Sequence, residues 1–446
     1  MKRKLDAASA KATASINRRD GLRFAAGAAA LALPISASAQ EEMTMTALEQ
    51  TDRAAIRPFR VSFPDTELQD LRRRINATRF PSRELVPDSS QGVQLATMEK
   101  LARYWGSEYD WRRCERQINS YPNFITEIDG LDIHFIHVRS RHENALPVII
   151  THGWPGSVVE QLKLIGPLTD PTAYGGAPED AFDVVIPSIP GFGFSGKPTE
   201  LGWDAVRIAR AWPVLMQRLG YTRYVAQGGD WGALITELMG KNAPAGLLGV
   251  HTNMASTVPP EVFQGIATGT PPPGLSAEER RAFDRLAFFF SPAGISYAQE
   301  MGARPQTLYG IEDSPIGLAA WFLDHDLKSY ELIARAFDGQ TEGMTRDDVL
   351  DNVTLAYLTK TGISSARLYW ENKIKFFEPL GVNIPMAVSA FRDELYQAPR
   401  SWAERAYPNL VYYRAHDVGC HFAAWEQPAL LSQDMRAGFR SLRRSA

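Results

Sequence analysis

The stretch Gly228-Gly229-Asp230-Trp231-Gly232 follows the apolar run 224–226 and precedes the helical 233–239. A chain that leaves a strand and enters a helix within that span must turn sharply on its middle residue. Only small residues two before and two after the tip avoid a clash. The pattern predicts a strand, a strained elbow with Asp230 at its tip, and a helix packed back on the sheet. The wider rhythm agrees: β-rich runs at 148–150, 184–186, 224–226, 386–389 and 410–413 alternate with helical stretches. Such alternation predicts an α/β chain whose mostly parallel sheet is covered by helices.

Two segments interrupt the rhythm. From 56 to about 121 the text is helical and polar-faced, with Pro64 at a helix start, Leu68, Leu71 and Ile75 at helical spacing, and Trp105 and Trp111 for packing. Asp129-Gly130 then separates 124–128 from the alternating 131–138, which predicts a hairpin. Between about 259 and 376, Pro271-Pro272-Pro273-Gly274 marks an exposed turn and the rest reads as aromatic-rich helices, an insertion placed to act as a lid. The expected organisation is a leader at 1–39, an N-terminal helical and meander domain at 40–145, the first part of the core at 146–258, the lid at 259–376, and the second part of the core at 377–446.

Charge removes some partners. The chain of 446 residues is −3 overall, and the leader holds seven basic residues against Asp6 and Asp20, a net of +5, so the remainder is −8. Without a long basic stripe it is a poor fit to nucleic acid. Cys114 and Cys420 are too few for a disulfide framework or a cysteine-rich metal cluster, although a single bridge stays open. Asn17-Arg18-Arg19-Asp20-Gly21-Leu22-Arg23, a short apolar run, Pro34 and Ala37-Ser38-Ala39 follow the order of a twin-arginine export signal. The apolar run is too short to span the roughly 30 Å hydrocarbon core as a helix. The expectation is a periplasmic or secreted protein with no stable membrane span in the mature chain.

A carboxylate at the elbow tip attacks saturated carbon and leaves an alkyl-enzyme ester, whereas a serine there would suit acyl transfer. The plainer alternative is an Asp that caps the following helix. His152-Gly153-Trp154-Pro155 follows run 148–150, where this architecture presents a backbone N–H for an oxyanion, so Asp230 is expected to share a pocket with the Trp154 and Trp231 amides. His152 itself, preceding the nucleophile, is expected to be structural. Of His251, His325, His416 and His421, which follow Asp230, His421 is favoured as the base, because run 410–413 leads into a loop ending at Gly419-Cys420-His421. His416 is expected to be solvated. Run 386–389 ends in Ala390-Phe391-Arg392-Asp393-Glu394, and either acid could orient the imidazole.

Over essentially the whole mature chain the sequence resembles the microsomal-type epoxide hydrolases, including the juvenile-hormone epoxide hydrolases of that family. The resemblance is carried by Ile56-Arg57-Pro58-Phe59, Thr78-Arg79-Phe80-Pro81, Gly130-Leu131-Asp132-Ile133-His134-Phe135-Ile136-His137, His152-Gly153-Trp154-Pro155-Gly156-Ser157, Pro187-Ser188-Ile189-Pro190-Gly191-Phe192-Gly193-Phe194-Ser195 and His421-Phe422-Ala423-Ala424. It implies an α/β-hydrolase fold with a helical lid, Asp230 as nucleophile, His421 as base and Glu394 as orienting acid. It also places the family's lid tyrosines on Tyr297 and Tyr369, and leaves Tyr309, Tyr330 and Tyr357 as decoys. A phenol can hold and protonate the oxygen of an opening epoxide without being charged at neutral pH. The sequence departs from the family in its export leader, where many members carry an anchor helix, and in Cys420, where members often have Gly; packing is the expected role of that cysteine.

The implied reaction takes a lipophilic epoxide and water to a vicinal diol, with no metal or organic cofactor. Phe288-Phe289-Phe290, Trp321 and Phe322 are the candidate apolar lining. The nearest rival is a haloalkane dehalogenase, which uses the same Asp elbow but holds a halide with N–H donors such as that of Trp231. A catalytically silent binder on the same fold is the alternative from another class.

Overall fold

The computed structural model describes residues 53–443, so the expected leader lies outside the described residues. Nine strands form one sheet: β1 (Arg57–Phe59), β2 (Asn123–Ile128), β3 (Leu131–Val138), β4 (Leu146–Thr151), β5 (Phe182–Pro187), β6 (Tyr224–Gly228), β7 (Leu247–Thr252), β8 (Met386–Ala390) and β9 (Leu410–Ala415). Their spatial order is β1-β2-β3-β5-β4-β6-β7-β8-β9. From β5 to β9 every pairing is parallel, whereas β1, β2 and β3 meet one another and β5 antiparallel. The inner parallel strands are Val-, Ile- and Ala-rich and buried on both faces, as βαβ crossovers require: Val148, Ile149, Ile150, Val225 and Ala226 are fully buried, whereas the edge strand β9 is partly exposed.

The expected hairpin forms across Asp129-Gly130, both with positive φ, the backbone that a two-residue type I′ turn needs. It joins the same sheet as the later strands through pairing of β3 with β5, so one sheet holds strands from both sides of residue 145. The short strand β1 adds an edge that periodicity did not announce.

Between β7 and β8 lie the expected lid helices, from Pro260–Thr268 to Gly362–Glu371. Ser276 with Glu279, and Thr345 with Asp348, make reciprocal capping boxes there, and Pro292 and Pro315 sit at first helical positions. The N-terminal helices Asp65–Asn76, Leu95–Ser107 and Trp111–Asn119 strap this lid. Arg113 pairs with Asp351 at 2.5 Å and Asp347 at 3.2 Å, the Tyr109 hydroxyl donates to Asp351 at 2.8 Å, and Arg74 reaches Asp313 at 2.9 Å. Asp351 is buried, and that burial raises its carboxyl to about 6 against the pull of Arg113. Removing one partner of such a pair strands a buried charge, so the strap fixes how the lid seats over the sheet.

Candidate active site

The elbow is built as its glycines require. Asp230 has φ 50 and ψ −126, a strained backbone for a residue with a Cβ. A Cβ on Gly228 would lie 2.1 Å from the Gly232 carbonyl oxygen, and one on Gly232 would lie 1.9 Å from that of Thr151. The strain lifts the Asp230 side chain off the end of β6 toward the loop after β4. There the Trp154 amide donates to Asp230 Oδ1 at 2.7 Å, and Gly153 approaches so closely that a Cβ would sit 2.1 Å from the same oxygen. Oδ1 is thereby committed to a backbone donor, and Oδ2 is the oxygen left to react.

On the Oδ2 side stands His421, with Nε2 at 3.6 Å. Its Nδ1 meets Glu394 Oε1 at 2.6 Å, and both side chains are almost fully buried. The two acids left open by sequence separate clearly: Glu394 faces the imidazole, while Asp393 is half-buried and its backbone bridges to Cys420, tying the two loops together. Burial opposes a charge on His421 most strongly. The charge and hydrogen bond of Glu394, then the charges of Asp230 and Asp326, outweigh it and raise the imidazole to about 10. The acids around it thus favour the imidazolium form of His421.

Tyr297 and Tyr369 reach the same centre from helices Pro292–Ala303 and Gly362–Glu371 of the lid. Tyr297 stacks on Trp154 at 5.2 Å and 10°, Tyr369 stands edge-on to Trp231 at 4.8 Å, and the two phenol rings are 6.2 Å apart. Burial first, with Asp230 adding negative charge, pushes both phenols well above the usual tyrosine value, so both remain donors. Asp230, Trp231, both tyrosines, Met254, Phe289, Phe376 and Phe377 line a cavity of about 210 Å3. Of the aromatics expected as lining, Phe289 is the one on this cavity. Phe288 is exposed, Phe290 packs on Phe263 and Phe377, Phe322 supports Trp154 edge-on, and Trp321 lies outside the lining. Phe376 and Phe377, where the lid segment meets the second part of the core, line it instead. The decoy tyrosines stay away from the Asp230 cavity: Tyr309 is exposed, Tyr330 bonds Gln94 and Thr97, and Tyr357 bonds the Asp313 carbonyl.

The remaining histidines sort by partner. His152 is buried, accepts from the Ile189 amide at 3.2 Å and meets the Gly153 carbonyl at 3.0 Å, a structural tie as expected. Burial lowers it to about 4. His251 of β7 is held by Ser389 of the neighbouring β8. His416 is not solvated: it is buried, 2.6 Å from Asp434 and stacked on Phe391, because helix Pro428–Phe439 presents Asp434 to it. Cys114 and Cys420 are free thiols in different parts of the fold, so no bridge joins them. Cys420 packs half-buried beside the base, and burial raises its thiol far above the ordinary value.

Three groups around the site lie outside the motifs. Glu160, buried behind Gly156, is raised by burial to about 8. Glu426 accepts from the Cys420 and Phe422 amides at 2.8 and 3.2 Å and so clamps the loop carrying His421. His325, from the lid, lies with Nε2 3.9 Å from Asp230 Oδ2 and its ring 4.3 Å from that of His421. Among the described residues no helix is long and apolar enough to cross a membrane.

Residues 56–161 match the family described as the epoxide hydrolase N terminus, and 147–309 match the α/β-hydrolase fold family. An epoxide hydrolase-type protein of Stigmatella aurantiaca (strain DW4/3-1) is 49% identical over 396 residues, 87% of this chain and 86% of that protein. Epoxide hydrolase 1 of Oryctolagus cuniculus is 35% identical over 399 residues, 85% of this chain and 88% of that one. The crystal structure of juvenile hormone epoxide hydrolase from the silkworm Bombyx mori superposes with a TM-score of 0.77 at 30% identity, covering 90% of this chain and 98% of that one. The Aspergillus niger epoxide hydrolase structure gives 0.73 at 31%, covering 87% and 97%. With an Asp at its elbow, an N-terminal segment strapping its lid, and this breadth of likeness, the chain belongs to the epoxide hydrolase family of α/β hydrolases.

Proposed function

We propose that the protein converts a lipophilic epoxide and water to a vicinal diol through a covalent ester on Asp230. The observation that carries this reading is the pairing of two un-ionised phenols with an Asp–His–Glu array across one apolar cavity. Asp230 Oδ2 attacks an epoxide carbon while Tyr297 and Tyr369 donate to the ring oxygen and one of them protonates it as the C–O bond breaks. The imidazolium of His421 returns a proton to that phenolate. Alkylation also removes the Asp230 charge that helps hold the proton on His421, so ring opening itself prepares His421 to act as a base. Water then adds to the ester carbonyl carbon, with the developing charge on Oδ1 met by the Trp154 N–H. Collapse releases the diol, and the proton left on the carboxyl returns to His421. Glu394 keeps the ring in one tautomer throughout.

The test is a single turnover of purified enzyme with a lipophilic epoxide in ¹⁸O water, with mass analysis of the diol and of the peptide carrying Asp230. The reading expects label in Asp230 and unlabelled oxygen in the first-turnover diol. Label in the diol with none in Asp230 would overturn the ester, and halide release from haloalkanes without epoxide turnover would replace the reading with a dehalogenase. We also propose that the leader directs export by the twin-arginine route. Fractionation of cells expressing the full chain should recover the processed protein outside the cytoplasm, and Arg18→Lys with Arg19→Lys should retain it inside.

A further inference from the structure

The buried dyad His325–Asp326 has no part in the cycle above. Asp326 precedes helix Leu327–Phe337 and splits its oxygens between two tasks: Oδ1 caps the helix by accepting from the Ser329 amide at 2.8 Å, and Oδ2 meets His325 Nδ1 at 3.0 Å. Burial pushes the Asp326 carboxyl up, but the hydrogen bond and charge of His325, with that of His421, hold it well below the usual carboxylate range. An acid bound on Nδ1 holds that nitrogen as the donor, so a neutral His325 turns the lone pair of Nε2 toward the site. That Nε2 is buried without a hydrogen-bond partner and faces Asp230 Oδ2 at 3.9 Å. The reactive oxygen of Asp230 is thus flanked by two imidazoles, each backed by its own carboxylate.

Spacing limits what fits between them. The ligating atoms of Asp230, His325 and His421 lie within 4.8 Å of one another, with 3.6 and 3.9 Å from the two imidazoles to Oδ2. A water making ~2.8 Å hydrogen bonds in tetrahedral directions holds its partners ~4.6 Å apart. A metal with ~2.1 Å bonds draws them to ~3.4 Å. The two imidazole nitrogens that such a water would bridge fall within the 4.8 Å limit, which admits the ~4.6 Å spacing. His325 and Asp326 also line a cavity of about 580 Å3 whose lining does not include Tyr297 or Tyr369, so space for water adjoins the dyad.

We propose that His325, oriented by Asp326, is a second catalytic histidine that holds the hydrolytic water against the Asp230 ester together with His421. The inference rests on the covalent ester. The water donates one hydrogen to His421 Nε2 and the other to His325 Nε2, which leaves an oxygen lone pair directed at the ester carbon. As the C–O bond forms, the first proton moves to His421 and passes to the departing alkoxide when the ester C–O bond breaks. The second stays on the new carboxyl until His421 takes it. His325 accepts a hydrogen bond throughout and gains no net proton.

Rapid-quench single turnovers of His325→Phe test this, with ester formation and ester breakdown followed separately by mass analysis of the Asp230 peptide. Ester formation should stay within about threefold of the parent while breakdown slows about 10²-fold, the scale of a misplaced reactant. The ester should then accumulate, so kcat and KM fall together. His325→Gln, which keeps an acceptor, should recover part of the loss. Asp326→Asn keeps the helix cap and should slow breakdown alone. No trapped ester in the parent would overturn the covalent reading and this assignment with it. An ester that forms in both proteins and decays at the same rate would overturn the role of His325 alone, as would equal slowing of both steps.

Discussion

Gly153→Ala isolates the oxyanion contact. The new methyl would lie 2.1 Å from Asp230 Oδ1 and 2.3 Å from Asp230 Cβ. A carbon and an oxygen pack no closer than ~3.2 Å, so one of them must retreat by about 1.1 Å. Behind Asp230 the elbow is closed by the Gly228 and Gly232 contacts, and the surrounding core leaves little room for compensation. If the side chain yields, the Trp154 N–H to Oδ1 distance opens from 2.7 Å to about 3.8 Å, beyond hydrogen-bond reach. Losing one preorganised oxyanion donor costs roughly 10²–10³ in kcat, about 2.7–4 kcal/mol of transition-state stabilisation. A displacement near 1 Å carries a penalty of the same order through misorientation of the nucleophile. The expected outcome is a folded protein whose ester breakdown is slowed at least 10²-fold, measured in single turnovers, with thermal unfolding as the folding control. A folded Gly153→Ala variant with breakdown within tenfold of the parent would refute the assignment of Oδ1 as the ester carbonyl oxygen.

Other perturbations follow from the charges around the same atoms. Tyr297→Phe and Tyr369→Phe should each slow ester formation by about tenfold or more and the double variant by far more, with breakdown unaffected; single-turnover quench separates the steps. Glu394→Gln removes the strongest influence holding the proton on His421, so the imidazole resonance followed by NMR should titrate below the parent's value of about 10. Because that folded value stands above the ordinary 6.5, the stability it brings is full below about 6.5 and disappears as pH rises through about 10. The parent's advantage in Tm over Glu394→Gln should therefore shrink across that window. Glu160 runs the other way: burial lifts a carboxyl of ordinary value 4.5 to about 8, so the folded state holds a proton that the unfolded state releases, and stability falls as pH rises from 4.5 to 8. The Tm of Glu160→Gln relative to the parent should climb over the same interval, and a difference independent of pH would show that Glu160 is not held protonated.

What could be read from the sequence was what chain neighbours encode. The elbow lies within five residues: Gly228 answers to the Gly232 backbone, Gly232 to that of Thr151 in β4 and Gly229 to the Asn253 side chain, so the local string carries the turn and the fold supplies the rest. The hairpin turn and the lid caps are local in the same sense. His421 and Glu394 were reachable because each closes a loop after a strand of known place, and parallel strands β8 and β9 deliver both loops to one edge. Asp393 and Glu394 differ by one position, yet only burial separates them. Periodicity could not do so, because the loop has none. His325, Glu160 and Glu426 come from three connections of unrelated length, and nothing in their spacing to Asp230 is fixed by a repeating element. His416 shows the cost of judging a histidine by its loop: its partner Asp434 arrives from a helix 18 residues later. One signal did exist for His325. An Asp directly before an apolar helical run reads as a cap, and a cap has a second oxygen to spend on the residue before it. A histidine preceding a capping acid inside a lid is therefore already half of an oriented dyad. Whether the dyad serves the reaction depends on what the lid is folded against, which here is the one free oxygen of Asp230.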